Sequence, residues 1–194
     1  YDLSRTIRKR TPEWINNRNI GIGFPELWNC FCRFFIKNQT IRNKGIAFSM
    51  KIYGNISCRY LKDAKIFHVR SGSGRGGAIK KARKNGMKIL VDHSIAHPFF
   101  AEKHLKSEYE KNGASFDMGI NNPLWKEVIK DCQEADAILV NSQFVKDTFI
   151  VAGYDSERIK VAYLGVRKDF FGLKKNYHVN DKLRILFTGG FGFR

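Results

Sequence analysis

The run KIFHVRSGSGRGGAIKKARKNGMKILVDHS, residues 65–94, sets two apolar segments, KIFHV and MKILVDH, on either side of a glycine-rich turn and a short basic helical stretch. Apolar runs separated by a helical pattern predict a β-α-β unit, two parallel strands joined by a crossover helix. Gly86 is the natural stop for that helix. The pattern recurs downstream. A polar, helix-prone section covers Phe99 to Lys111, a helix follows around PLWKEVIKDCQEA, and DAILVNS is apolar enough for a buried parallel strand. Ser142 is placed to cap the next helix, QFVKDTFIVAG, which Gly153 closes, and RIKVAYLGV supplies a further strand. The predicted class is therefore α/β: a Rossmann-like parallel sheet with helices on both faces and right-handed crossovers.

The turn itself, SGSGRGG (71–77), reads G-x-G-x-x-G, and Asp92 stands twenty residues after Gly72, where a ribose-binding carboxylate is expected in a dinucleotide site. Three features count against that site. Arg70 and Ser71 are polar where strand core is required, and position 81 is Lys where a small residue should let helix meet strand, Ala82 coming one step late. Some seventy residues also precede a motif that normally opens its domain. The loop keeps a physical meaning without a dinucleotide: glycine amides at a helix start favour an anion or sugar hydroxyls at the carboxyl ends of the strands. The alternative is a tight turn with no ligand, in which Arg75 is only a solvated charge.

A chain of 194 residues with 43% hydrophobic content can bury one good core. Its net charge of +17 is uneven: residues 1–90 hold 20 Lys and Arg against 4 Asp and Glu, and the rest hold 15 against 14. The first half therefore faces something anionic, whether nucleic acid, phospholipid headgroups or phosphorylated substrates. Residues 1–11 read as a basic helix ending near Thr11-Pro12. FPELWNCFCRFFIKN then places Phe24, Leu27, Trp28, Phe31, Phe34 and Phe35 at helical spacing with Arg33 and Lys37 among them. Such a helix either packs its aromatic face on a core or lies at a bilayer surface. Arg33 interrupts the most apolar run, and none approaches the roughly 18 residues of a membrane span. Cys30, Cys32, Cys58 and Cys132 form no C-x-x-C pair, so we read free thiols and a reducing compartment. His93 and His97 lie four apart, but Pro98 disfavours helix at 97 and no third ligand stands at suitable spacing, so no metal is expected.

Residues 134–171, EADAILVNSQFVKDTFIVAGYDSERIKVAYLGVRKDFF, carry a family pattern: Asp136-Ala137, a strand ending in Ser142, a helix ending in Gly153, Arg158-Ile159-Lys160-Val161, Gly165-Val166, then Phe170 or Phe171. This order resembles the hinge-side half of the N-terminal domain of family 4 glycosyltransferases, retaining GT-B enzymes with two Rossmann domains and nucleotide-sugar donors. The ending ILFTGGFGFR (185–194) is similar to the first strand and glycine loop of their donor domain, and GMKILVDHSIAHPFF (86–100) with Glu108 and YEKNG resembles one branch of them. The resemblance implies an acceptor-side domain over 1–171 that lacks its first strand, a linker at 172–182, and the opening of a donor domain at 183–194. Together with a start other than Met and a last strand without a covering helix, it leads us to expect a chain cut at both ends. The acidic E-x7-E motif of the donor domain is missing, so the 194 residues alone are expected not to catalyse transfer.

For the site, the resemblance implies catalytic roles for Asp92 and His93 at a strand end, with His93 hydrogen bonding to the donor sugar and orienting the acceptor. Gly72, Gly74, Arg75, His97, Asn141 and Ser142 would bind substrate, and Gly189, Gly190 and Arg194 would hold the donor diphosphate. Protein cations and helix amides can balance that diphosphate, so no cofactor is expected and the nucleotide sugar is a substrate. The acceptor would be a sugar, lipid-linked or phosphorylated. The basic half would dock a cytoplasmic enzyme on an anionic membrane surface. The rival class is a basic nucleic-acid-binding module; on the transferase reading no nucleic-acid partner is expected.

Overall fold

A computed structural model describes residues 20–116, 119–166 and 168–170. Two helices come first, α1 (Gly23–Phe35) and α2 (Gln39–Ser57), followed by a 3-10 turn at Cys58–Tyr60. The repeating part is β1 (Ile66–Arg70), α3 (Ala78–Lys84), β2 (Lys88–His93), α4 (Pro98–Lys111), α5 (Pro123–Glu134), β3 (Ala137–Val140), α6 (Gln143–Val151) and β4 (Ile159–Val161). The four strands form one parallel sheet in the order β1-β2-β3-β4. The expected α/β class with a parallel sheet is thus present, and the four expected strand segments supply its strands.

Register sets which side chains share a face. Val69 pairs with Val91, Val91 with Ile138, and Val140 with Val161. Val69, Val91, Ile138 and Val140, with Ile89 and Ile159, form the core together with Ile79 and Ala82 of α3, Cys132 of α5, and Val145 and Phe149 of α6, and Val161 packs against it. Every strand steps the same way along the sheet, and right-handed crossovers then deliver every connecting helix to the same face. The opposite face carries exposed Ile66, His68 and Arg70 and half-buried Leu90, Asp92 and Leu139. A second helical layer over that face is not among the described elements.

The helical hairpin α1–α2 stacks outside this layer, its α2 against α5 and the glycine loop. Asn38 caps α2 by accepting from the Ile41 amide at 3.1 Å. Trp28 Nε1 donates to Gly45 O at 3.1 Å, and Ser49 Oγ donates to Pro25 O at 2.6 Å. In α1 the buried residues are Pro25 and Cys32, whereas Phe34 is 82% and Phe35 72% exposed. The Phe rings of α1 therefore do not pack on a core: the Cys32–Gly45 contact and the Trp28 and Ser49 hydrogen bonds hold the hairpin, and those rings stay outside. The basic helix at 1–11, the linker at 172–182 and the strand and loop from 183 onward lie outside the described residues.

Candidate active site at the carboxyl ends of the strands

Two structures sit at the carboxyl ends of the strands, where ligands bind in open α/β sheets. The first is the glycine loop after β1, and it is filled from within. Asp131 of α5, fully buried, accepts the Gly72 amide at 2.7 Å and the Gly74 amide at 2.8 Å through Oδ2. Arg75 Nε lies 2.9 Å from the other oxygen, an ion-pair contact without hydrogen-bond alignment, and Arg75 Nη2 reaches Glu134 at 2.8 Å. Burial raises the Asp131 carboxyl to about 6, against the pull of the two amides and Arg75. The loop does bind an anion, as glycine amides at a helix start should, and the anion is the chain's own carboxylate.

Two glycines make this possible by close approach. A Cβ on Gly54 of α2 would lie 1.7 Å from Arg75 O, and one on Gly76 would lie 1.9 Å from Lys51 O. Helix and loop meet backbone to backbone, and Gly76 in addition has φ of +69°.

The second structure is an open cleft of about 740 Å³ between the ends of β2 and β3, lined from Ser94 to Ala96, by Asn141 and Ser142, and by Phe100, Trp125 and Phe144 among others. Among the described residues no Lys, Arg, Asp or Glu lines it; His104 does. Asn141 Nδ2 donates to Ser94 O at 3.1 Å and ties the two strand ends together, while its buried Oδ1 has no partner among the described residues. Ser142 caps α6, its Oγ accepting the Val145 amide at 3.3 Å.

Asp92 and His93 are neighbours in sequence and point to opposite faces of the sheet, as alternate strand residues must. Asp92 is partly exposed and pairs with Arg70 at 3.3 Å; Arg70 also donates to Ser94 Oγ at 2.5 Å. His93 is 2% exposed, with Nδ1 2.8 Å from Ser71 Oγ and its ring edge-on to Phe149. His97 is the N-cap of α4: its Nδ1 accepts the Phe99 amide at 3.2 Å and its ring meets Phe149 and Tyr154. Burial lowers both imidazoles to about 4, His93 further by the charges of His97 and Arg70, so both are neutral near pH 7. Neither lines the cleft. Among the described residues no three His, Cys, Asp or Glu side chains converge as metal ligands. Gly189, Gly190 and Arg194 lie outside the described residues.

Of the expected substrate contacts, the structure brings Asn141 and Ser142 into the cleft and commits Gly72, Gly74 and Arg75 to Asp131. Sequence reasoning missed Asp131. A signal was there: Val128, Asp131, Cys132 and Ala135 share one helical stripe, and a carboxylate on an apolar stripe needs a buried partner. It also missed Ser94, Phe100, Trp125 and Phe144. The residues that carried the family pattern turn out to brace the fold. Asp136 Oδ2 accepts the Ile89 amide at 2.7 Å, and the Arg158 guanidinium donates to the carbonyls of Cys132, Gln133 and Ala135 at the end of α5. No protein-family profile, curated protein or solved structure shows significant similarity to this chain.

Proposed function

We propose that the chain forms the acceptor-side wall of a retaining glycosyltransferase that uses a nucleotide-sugar donor. The observation that carries the reading is the cleft at the ends of β2 and β3 with Asn141 on its polar rim. Asn141 holds the two strand ends at the rim through its Nδ2 bond to Ser94 O. Ser94 and Ser142 stand beside it. Phe100, Trp125 and Phe144 give the rest of the cleft flat apolar walls, and a lining without Lys or Arg among the described residues favours a sugar on an apolar carrier over a phosphorylated acceptor at this spot.

In the transfer, the acceptor oxygen bonds to the anomeric carbon as the bond from that carbon to the diphosphate breaks, and the hydroxyl proton passes to the departing phosphate oxygen. The role of this wall is to hold the hydroxyl in line and exclude water. Neutral His93 holds Ser71 at the β1 end from beneath rather than acting as a base. The test uses the protein expressed with its natural flanking sequence, a panel of nucleotide sugars and octyl glycosides as acceptors, with nucleoside diphosphate and glycosylated product both measured. We expect transfer for at least one pair and a fall in kcat/KM of roughly tenfold or more for Asn141→Ala, the loss of one buried hydrogen bond. Absence of transfer across the panel, or an Asn141→Ala protein with unchanged kinetics, overturns the reading.

A further inference from the structure

The hairpin α1–α2 carries an exposed surface that the transferase reading does not use. Phe24, Leu27, Phe31, Phe34 and Phe35 of α1 are 58, 62, 47, 82 and 72% exposed, and Phe48 of α2 is 53% exposed. These side chains are not scattered. Phe35 stacks on Phe31 at 5.2 Å, Phe31 on Trp28 at 5.7 Å, and Trp28 meets Phe48 edge-on at 6.2 Å, giving one continuous aromatic ledge across both helices. Monomeric proteins rarely leave so many large rings together in water.

Phe48 is also a wall of a groove of about 410 Å³ between α2 and α5, lined by Lys44, Lys51, Lys126 and Lys130. Glu127 is the one acid among the described residues there; it lies 3.1 Å from Lys51 and 3.9 Å from Lys130. The ledge thus runs directly into a basic groove. Across residues 20–60 six Lys and Arg face a single acid, Glu26.

We propose that this surface docks on an anionic lipid bilayer, the rings entering the headgroup boundary and the four lysines taking lipid phosphates in the groove. The charge selects the occupant. A second copy of the chain would bring four lysines against four lysines. A nucleic acid would use the groove but leave four exposed rings of α1 without a role. A bilayer with anionic headgroups satisfies both halves at once, since interfacial helices combine buried apolar area with attraction to acidic lipid. No described helix is long and apolar enough to cross a membrane, so the contact is with the surface. The proposal stands apart from the transferase reading and can hold or fall without it.

The experiment is flotation of the full chain with vesicles of phosphatidylcholine alone or mixed equally with phosphatidylglycerol, at low and high salt. Binding should be at least roughly tenfold tighter to the anionic vesicles and weaken with salt, as attraction between basic side chains and acidic lipid requires. Phe34→Ser/Phe35→Ser, at two of the most exposed rings, should weaken binding by roughly tenfold or more without changing the melting temperature. Lys44→Glu/Lys126→Glu should remove the preference for anionic lipid. Equal binding to both vesicle types, or full binding by the Phe34→Ser/Phe35→Ser protein, overturns the proposal. So does either of two other outcomes: RNA binding with no vesicle binding, or a dimer that the same ring substitutions dissolve.

Discussion

The glycine loop after β1 and the cleft between the ends of β2 and β3 occupy equivalent places in a parallel sheet and have opposite characters. In the loop, the amides of Gly72 and Gly74 are aimed inward and already hold Asp131, with Arg75 laid over the pair. In the cleft, Asn141 and Ser142 stand on the rim, and no Lys, Arg, Asp or Glu is among the described residues that line it. The motif that looks most like a ligand site in sequence is a structural joint, and the place open to a ligand has no motif. Amides at a strand-to-helix turn call for negative charge, and they do not say whether it arrives from solvent or from the next helix.

The sharpest way to break this contrast is to remove the internal anion. Asp131→Ala should cost roughly 3–5 kcal/mol in urea unfolding, because it strands two buried amides and leaves Arg75 without its buried partner. Inorganic phosphate should restore part of that stability if the loop is a true anion cradle. A cost below about 1 kcal/mol would mean that the loop does not depend on its carboxylate.

Acid probes the same region from below. His93 and His97 have folded values of about 4, under the ordinary imidazole value near 6.5, so the unfolded chain takes up those protons first. Their contribution is complete above pH 6.5 and is lost as the pH falls towards 4. Asp131, raised to about 6, works in the other direction over nearly the same interval. Two histidines against one aspartate leave a net loss of about 3 kcal/mol between pH 7 and 4, to be read from denaturant melts. In His97→Phe, whose ring can keep the Phe149 and Tyr154 contacts, His93 and Asp131 nearly offset each other, so the loss should fall below about 1 kcal/mol.

The smallest effect belongs to the cleft. Ser142→Ala removes only the cap of α6, with an expected cost of about 1 kcal/mol by thermal or urea melts. A cost approaching that of Asp131→Ala would show that the cleft rim is as tightly built into the fold as the loop, and the contrast would fail.

Much of the fold was legible because apolar runs and helix stops speak for themselves. KIFHV, MKILVDH, DAILVNS and RIKVAYLGV all supply strands, and Ser142 caps its helix as its position before QFVKDTF implies. Helix α2 was not legible. Its buried residues are Asn43, Ile46, Ala47, Ser49 and Gly54, so it packs by smallness and close approach and shows no apolar stripe. The aromatic spacing in α1 did mark a helix but could not say which face is buried, since Cys32 and Pro25 make a quieter pattern than five large rings. At the cleft, Asn141 and Ser142 stand where their place at a strand end leads one to expect them. Phe100, Trp125 and Phe144 come from three different helices, and one-dimensional spacing holds no trace of their meeting.

Where α2 crosses the loop, carbonyls of Arg75 and Lys51 face bare glycine carbons. No partner there has a side chain that could shrink to make room, so a methyl group at position 54 or 76 has no second-site remedy. The two positions are tied to each other, and to glycine, for as long as this helix rests on this turn.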